Sequence, residues 1–189
     1  MKSVLVVTPN PTDLDWFRED LAKLNIEEIA HSGTSSEARR YLIERTVDLL
    51  VINAPLSDEN GLRLAVDTIG DKANQVILMV RREYADEVSA KVEDYGIFTV
   101  EKPISHAAFW LALKLTSAAF NRTKSVINEN DRLRKSLADI KLVNRAKCLL
   151  IEKLGFSEEA AHREMEKMAM DTRLEKVELA RRIIKKYED

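Results

Sequence analysis

Four short runs of β-branched and aliphatic residues, 3–8 (SVLVVT), 48–53 (DLLVIN), 75–80 (QVILMV) and 97–100 (IFTV), set the tightest limit on how this chain folds. A fifth, weaker run lies near 26–31. Helical patterns fill the intervals at about 12–24, 35–45, 59–70, 83–94 and from 104 onward. Runs that stay apolar without alternating are strands buried on both faces, which occurs where helices cover both sides of a parallel sheet. The order of elements predicts an α/β domain over residues 1–120, a doubly wound, five-stranded parallel sheet of the flavodoxin-like kind.

Open sheets of this type carry their sites at the carboxyl ends of the strands. Those ends read Thr8, Pro9 and Asn10 after the first strand, Asn53 at the end of the third, Val80 at the end of the fourth and Lys102-Pro103 after the fifth. The half-chain resembles the receiver domain of response regulators. In that family, acidic residues after the first strand and an aspartate ending the third hold Mg²⁺ and accept a phosphoryl group, and a hydroxyl residue follows the fourth. The resemblance implies that Asn53 stands at a degenerate phospho-acceptor position and that Val80 replaces the hydroxyl. An amide oxygen is a poor nucleophile, and Mg²⁺ requires carboxylates. Only Lys102-Pro103 keeps the family pattern, so the domain is expected to be a pseudo-receiver that retains the fold and lacks the chemistry. The Lys102 ammonium is expected to pair with Asn53 or reach solvent, and Pro103 to start the last helix. Asp13 reads as a first-turn helix residue and Asp58 as part of a turn leading to Gly61; a displaced acidic site drawn from Asp13, Asp15 and Asp58 is the alternative.

From 104 to 154 there is no glycine or proline, so one long helix can leave the first domain. Val126, Leu133 and Ile140 recur every seven residues, with Asn130, Leu137 and Asn144 interleaved at four-then-three spacing. This is a heptad seam with asparagine at two inner positions, where paired amides favour two parallel helices in register. A coiled-coil linker over 121–145 and a parallel homodimer are expected; a monomeric helix packed on its own domains is the alternative.

Beyond it, Gly155 closes a helix. Ser157 with Glu158 and Glu159 opens a second, expected to run to about Met170. Thr172 with Glu175 has the spacing of a capping box, so a third helix is expected to begin there. Ala161, Met165, Met168 and Ala169, then Leu174, Val177, Ala180 and Ile184, recur at helical spacing and predict a three-helix bundle.

Ala146-Lys147, the turn Leu154-Gly155-Phe156-Ser157-Glu158, Ala161, Ala169-Met170, Arg173 and Ala180 stand in the order and spacing of the ANTAR domain, which residues 146–189 resemble. Cys148 occupies a position where the family commonly has glycine, and His162 one where it often has an aromatic residue. The resemblance implies an RNA-binding module of transcription antitermination regulators. Charge agrees in sense: residues 121–189 hold 17 Lys+Arg against 13 Asp+Glu, whereas the remaining 120 hold 13 against 19. The candidate RNA contacts are Lys147, Lys153, Arg163, Lys167 and Arg173, since RNA binding needs cations for phosphates and groups that meet splayed bases.

The three histidines, His31, His106 and His162, are isolated in sequence, and no Cys/His cluster has zinc spacing. No metal, cofactor or catalytic arrangement is expected, and Cys148 reads as a buried thiol. The apolar run after Met1-Lys2 is too short for a signal peptide and nothing reaches transmembrane length, so the chain reads as cytoplasmic and without a membrane partner.

By resemblance, the expected function is stabilisation of tandem stem-loops in nascent leader mRNA, independent of phosphorylation. A regulatory protein or ligand is expected to act on the pseudo-receiver. The rival reading is a non-enzymatic interaction scaffold built on the pseudo-receiver and coiled coil. A DNA-binding regulator ranks behind both, because the second C-terminal helix is rich in Glu and Met where a recognition helix offers base contacts.

Overall fold

Five parallel strands order the first half of the chain, in a computed structural model that describes residues 1–188. They are β1 (Ser3–Val7), β2 (Glu28–Ser32), β3 (Val47–Asn53), β4 (Ala73–Arg81) and β5 (Phe98–Lys102), in the spatial order β2-β1-β3-β4-β5. The helices are α1 (Asp13–Leu21), α2 (Ser35–Glu44), α3 (Leu62–Thr68), α4 (Arg82–Val92), α5 (His106–Leu154), α6 (Glu158–Thr172) and α7 (Lys176–Glu188). Single 3₁₀ turns follow α1 and α4.

Successive strand residues feed two separate cores, which is why the runs are apolar throughout. Leu5, Leu50, Ile52 and Leu78 pack under Ala38 and Leu42 of α2, Leu64 and Ala65 of α3 and Ala85 of α4. Val4, Val6, Val51 and Ile77 pack on the opposite face against Leu14, Phe17 and Leu21 of α1 and Phe109 and Leu113 of α5. Each fully buried Val, Leu, Ile or Phe side chain among them contributes about 1.5–3 kcal/mol by leaving water. Register brings the strand ends into line: Val7 pairs with Ile52, Asn53 with Met79, and Arg81 with Lys102.

Residues Met1–Lys124 form one compact unit and those from Ser125 a second, with α5 contributing its first turns to one and its last to the other. In the second unit, Ala146 and Leu150 of α5, Ala161, Met165 and Ala169 of α6, and Leu179, Ala180 and Ile183 of α7 close a three-helix core. The seam residues Val126, Leu133, Leu137 and Ile140 are each more than half exposed within the single chain, and Asn130 and Asn144 are exposed with them.

Three local expectations are corrected. Pro103 does not start α5: the helix begins at His106, and Ser105 caps it, its Oγ accepting from Ala108 N at 3.2 Å. Thr172 does not cap α7. It ends α6, its hydroxyl donating back to the Met168 carbonyl at 2.6 Å, a bond a helical threonine makes in competition with capping. Arg173, at φ 54°, then closes α6 in the left-handed conformation usually left to glycine. Cys148 is exposed rather than buried, because the inward positions of that turn are Ala146, Leu149 and Leu150. Gly155 and Ser157 match expectation: Gly155 has φ 68°, and the Ser157 Oγ accepts from Ala160 N at 3.2 Å.

Candidate functional sites

At the carboxyl end of the sheet, Thr8 follows β1, Asn53 ends β3 and Lys102 ends β5, so parallel register delivers the three side chains to one place. The Asn53 amide nitrogen donates to Thr8 Oγ1 at 3.2 Å and to Asp13 Oδ2 at 3.1 Å. Thr8 in turn donates to the same Asp13 oxygen at 3.2 Å, and Asn10 Nδ2 donates to Asp13 Oδ1 at 3.1 Å. On the other side Lys102 Nζ donates to Asn53 Oδ1 at 2.8 Å and to the Ala54 carbonyl. Burial lowers the pKa of Lys102 below its ordinary value; Arg81 lowers it further and Asp13 opposes.

The Asn53 amide therefore lies between an anion and a cation with its dipole aligned to both. Its NH₂ sits against the carboxylate, where a metal-binding site places a divalent cation, and its oxygen accepts the lysine that would otherwise meet an anion. Of the three carboxylates considered for a displaced acidic site, only Asp13 reaches the strand ends. A cavity of about 240 Å³ opens over it, walled by Asp13, Trp16, Asn53, Met79, Lys102 and Ile104. Asp15 instead meets Arg18 at 3.5 Å. Among the described residues no group of three or more His, Cys, Asp or Glu side chains is placed to hold a metal.

Asp58 has a role that its position before Gly61 does not reveal. Its carboxylate accepts four hydrogen bonds, 2.8–3.0 Å long, from the backbone nitrogens and hydroxyls of Ser35 and Ser36 at the start of α2. The bond from Ser35 N is the main cause holding its pKa far below the usual carboxylate range. Its partners lie 22 and 23 residues earlier, so no local pattern announces it.

His106, isolated in sequence, is not isolated in space. Its Nδ1 lies 2.6 Å from Oδ2 of the buried Asp20, and its ring stacks on Trp16 with centroids 4.5 Å apart. Burial pushes Asp20 up, but hydrogen bonds from Lys23 and His106 outweigh it and bring its pKa below the ordinary value. The group ties the end of α1 to the start of α5.

In the second unit the five sequence-nominated cations fall into separate sets. Lys147 is largely covered, its Nζ 3.6 Å from Glu158 Oε1, and it lines a groove of about 380 Å³ with Asn144, His162, Met165, Glu166 and Lys176. Arg173 lines an adjoining depression with Met170, Glu166 and Lys176, so the two hollows share a border. Arg163 and Lys167 are exposed on α6 away from its buried residues, with Arg163 engaged by Glu159 one turn earlier. Lys153 is exposed on the last turn of α5. Lys176, which joins Lys147 to Arg173 along this flank and pairs with Glu166 at 2.7 Å, has no sequence signal of its own.

Residues 131–184 match the ANTAR domain, a span that begins inside the stretch expected as linker. The chain is 25% identical over 161 residues to the transcriptional regulatory protein PdtaR of Mycobacterium tuberculosis, covering 83% of this chain and 78% of that protein. Two crystal structures share the fold of the first unit at 18% identity. A two-component transcriptional regulator AraC from Clostridium phytofermentans aligns with TM-score 0.57 over 66% of this chain and 98% of that one. The signal receiver domain of an HD domain-containing protein from Pseudomonas fluorescens aligns with TM-score 0.56 over 66% and 92%. Residues 131–184 thus match the ANTAR domain, the first unit shares the receiver fold, and Asn53 stands where the receiver resemblance places the acceptor aspartate.

Proposed function

We propose that this protein is an RNA-binding antitermination regulator that holds tandem stem-loops in nascent leader mRNA, so that a competing terminator hairpin does not form. The ANTAR match and the similarity to PdtaR support a transcription antitermination regulator. The observation that carries the RNA reading is the ANTAR match over a unit that exposes Lys153, Arg163 and Lys167 and sets Arg173 in a hollow adjoining the groove that contains Lys147. These cations meet phosphate, and the groove's apolar floor at Met165 offers a bed for an unstacked base. Binding energy shifts the balance between two RNA folds and no covalent step is required. No described helix is long and apolar enough to cross a membrane.

Regulation proceeds without phosphorylation, because the acceptor position is an amide already engaged on both sides. Dimerisation through the α5 seam would place two RNA-binding modules on one particle and make the second stem-loop contact effectively intramolecular.

The test is a gel shift of the full chain against a two-hairpin leader RNA, with bulk RNA as competitor and a Lys147→Ala, Arg173→Ala variant alongside. Specific binding that the variant loses is expected. Failure of the folded protein to retain RNA against competitor leaves the interaction-scaffold reading in its place.

A further inference from the structure

A second hollow in the first unit lies beside the strand-end site, between the start of α3, the first turns of α4 and the loop after β3. It is a cavity of about 490 Å³. Leu78 and Val80 of β4 form its floor, Leu62 one wall, and Tyr84 and Val88 of α4 another, while Asn60, Arg81, Glu87 and Lys91 stand at its edge. Volume and make-up are those of small-molecule sites: mostly apolar, a few hundred cubic ångströms, with a small number of polar groups to orient the occupant.

Two features say what chemistry fits. Val80, only 6% exposed, stands where the receiver resemblance expects a hydroxyl, so the residue in the hydroxyl's place supplies apolar floor. Of the two cations at the edge, Lys91 is already bonded to Glu87 one turn earlier. Arg81 meets Glu83 only at 3.7 Å, beyond hydrogen-bond length, and its guanidinium is available for a two-point contact with a carboxylate. The cavity also touches the strand-end network. Ala54 lines it, and the Ala54 carbonyl is an acceptor of the Lys102 ammonium.

We infer that this cavity binds a small organic acid, its apolar body resting on Leu62, Leu78, Val80 and Val88 and its carboxylate on Arg81. An anion there also relieves the repulsion between Arg81 and Lys102. The site offers the first unit a small-molecule input next to the strand-end network, to which Ala54 links it, and it stands whether or not the second unit binds RNA.

The experiment titrates the full chain with three matched probes, phenylpropionate, phenylpropanol and phenylpropylamine, by calorimetry and by NMR of methyl-labelled protein. Phenylpropionate is expected to bind saturably and to shift the Leu62, Leu78, Val80 and Val88 methyl resonances, with the alcohol and the amine at least about tenfold weaker. Arg81→Ala, an exposed substitution, is expected to reduce the acid to the level of the alcohol. Leu62→Trp, which fills the cavity, is expected to abolish binding of all three. Equal binding of acid and amine, no methyl shifts with any probe, or acid binding unchanged in Arg81→Ala overturns the inference.

Discussion

Lys102 Nζ donates to Asn53 Oδ1 at 2.8 Å across the carboxyl end of the sheet. In the receiver arrangement those two positions are a cation and the anion that carries the phosphoryl group. Here a neutral amide satisfies the cation with its oxygen and uses its nitrogen on Asp13 and Thr8. The site needs neither metal nor phosphate to complete its hydrogen bonds.

Asn53→Asp tests that balance. The substitution replaces a donor facing Asp13 by a second carboxylate and is expected to cost about 1–3 kcal/mol in metal-free buffer. Millimolar Mg²⁺ recovers part of the loss by bridging the two carboxylates, while the unsubstituted protein melts at the same temperature with or without it. Thermal melts with EDTA or MgCl₂ read both effects. A variant as stable as the parent in EDTA would show that Asn53 is not holding Asp13.

Asp58 predicts a pH dependence. Its folded pKa is depressed, so its stabilisation is fully present above the unfolded value of about 3.9 and fades as pH falls toward the folded value. Asp58→Asn is expected to lower the melting temperature at neutral pH, and the gap from the parent to narrow below about pH 4. Melts collected from neutral pH downward check the sign: a gap that widens on acidification contradicts the assignment.

Leu133→Lys combined with Leu137→Lys addresses the seam. Both leucines are more than half exposed in the single chain, so the substitutions remove little packing within it. Sedimentation is expected to show the parent as a dimer and the variant as a monomer, because charges at inner heptad positions repel across a parallel pair. A monomeric parent would remove the dimer from the proposed mechanism.

The strands were legible because burial on both faces leaves a continuous apolar run, and Asn53, Val80 and Lys102 could be placed because each ends such a run. What escaped depended on distant partners or on local competition. Nothing near Asp58 points to Ser35 and Ser36, and nothing near His106 points to Asp20. Thr172 and Glu175 had capping spacing, but the hydroxyl bonded backward and an arginine, not a glycine, took the left-handed turn. Cys148 was recoverable in principle: Leu142, Ala146, Leu149 and Leu150 step inward at three- and four-residue intervals, which leaves position 148 on the outer side.

β4 ends at Arg81 and α4 begins at Arg82, with no loop between them. Strand and helix are joined by a pivot of only two torsions, ψ of Arg81 and φ of Arg82. There is no slack chain to rearrange around a bound group. A push on α4 is therefore a lever stroke: the helix swings as a rigid arm and its fulcrum sits one residue from Val80. In such a domain a signal is read as an angle.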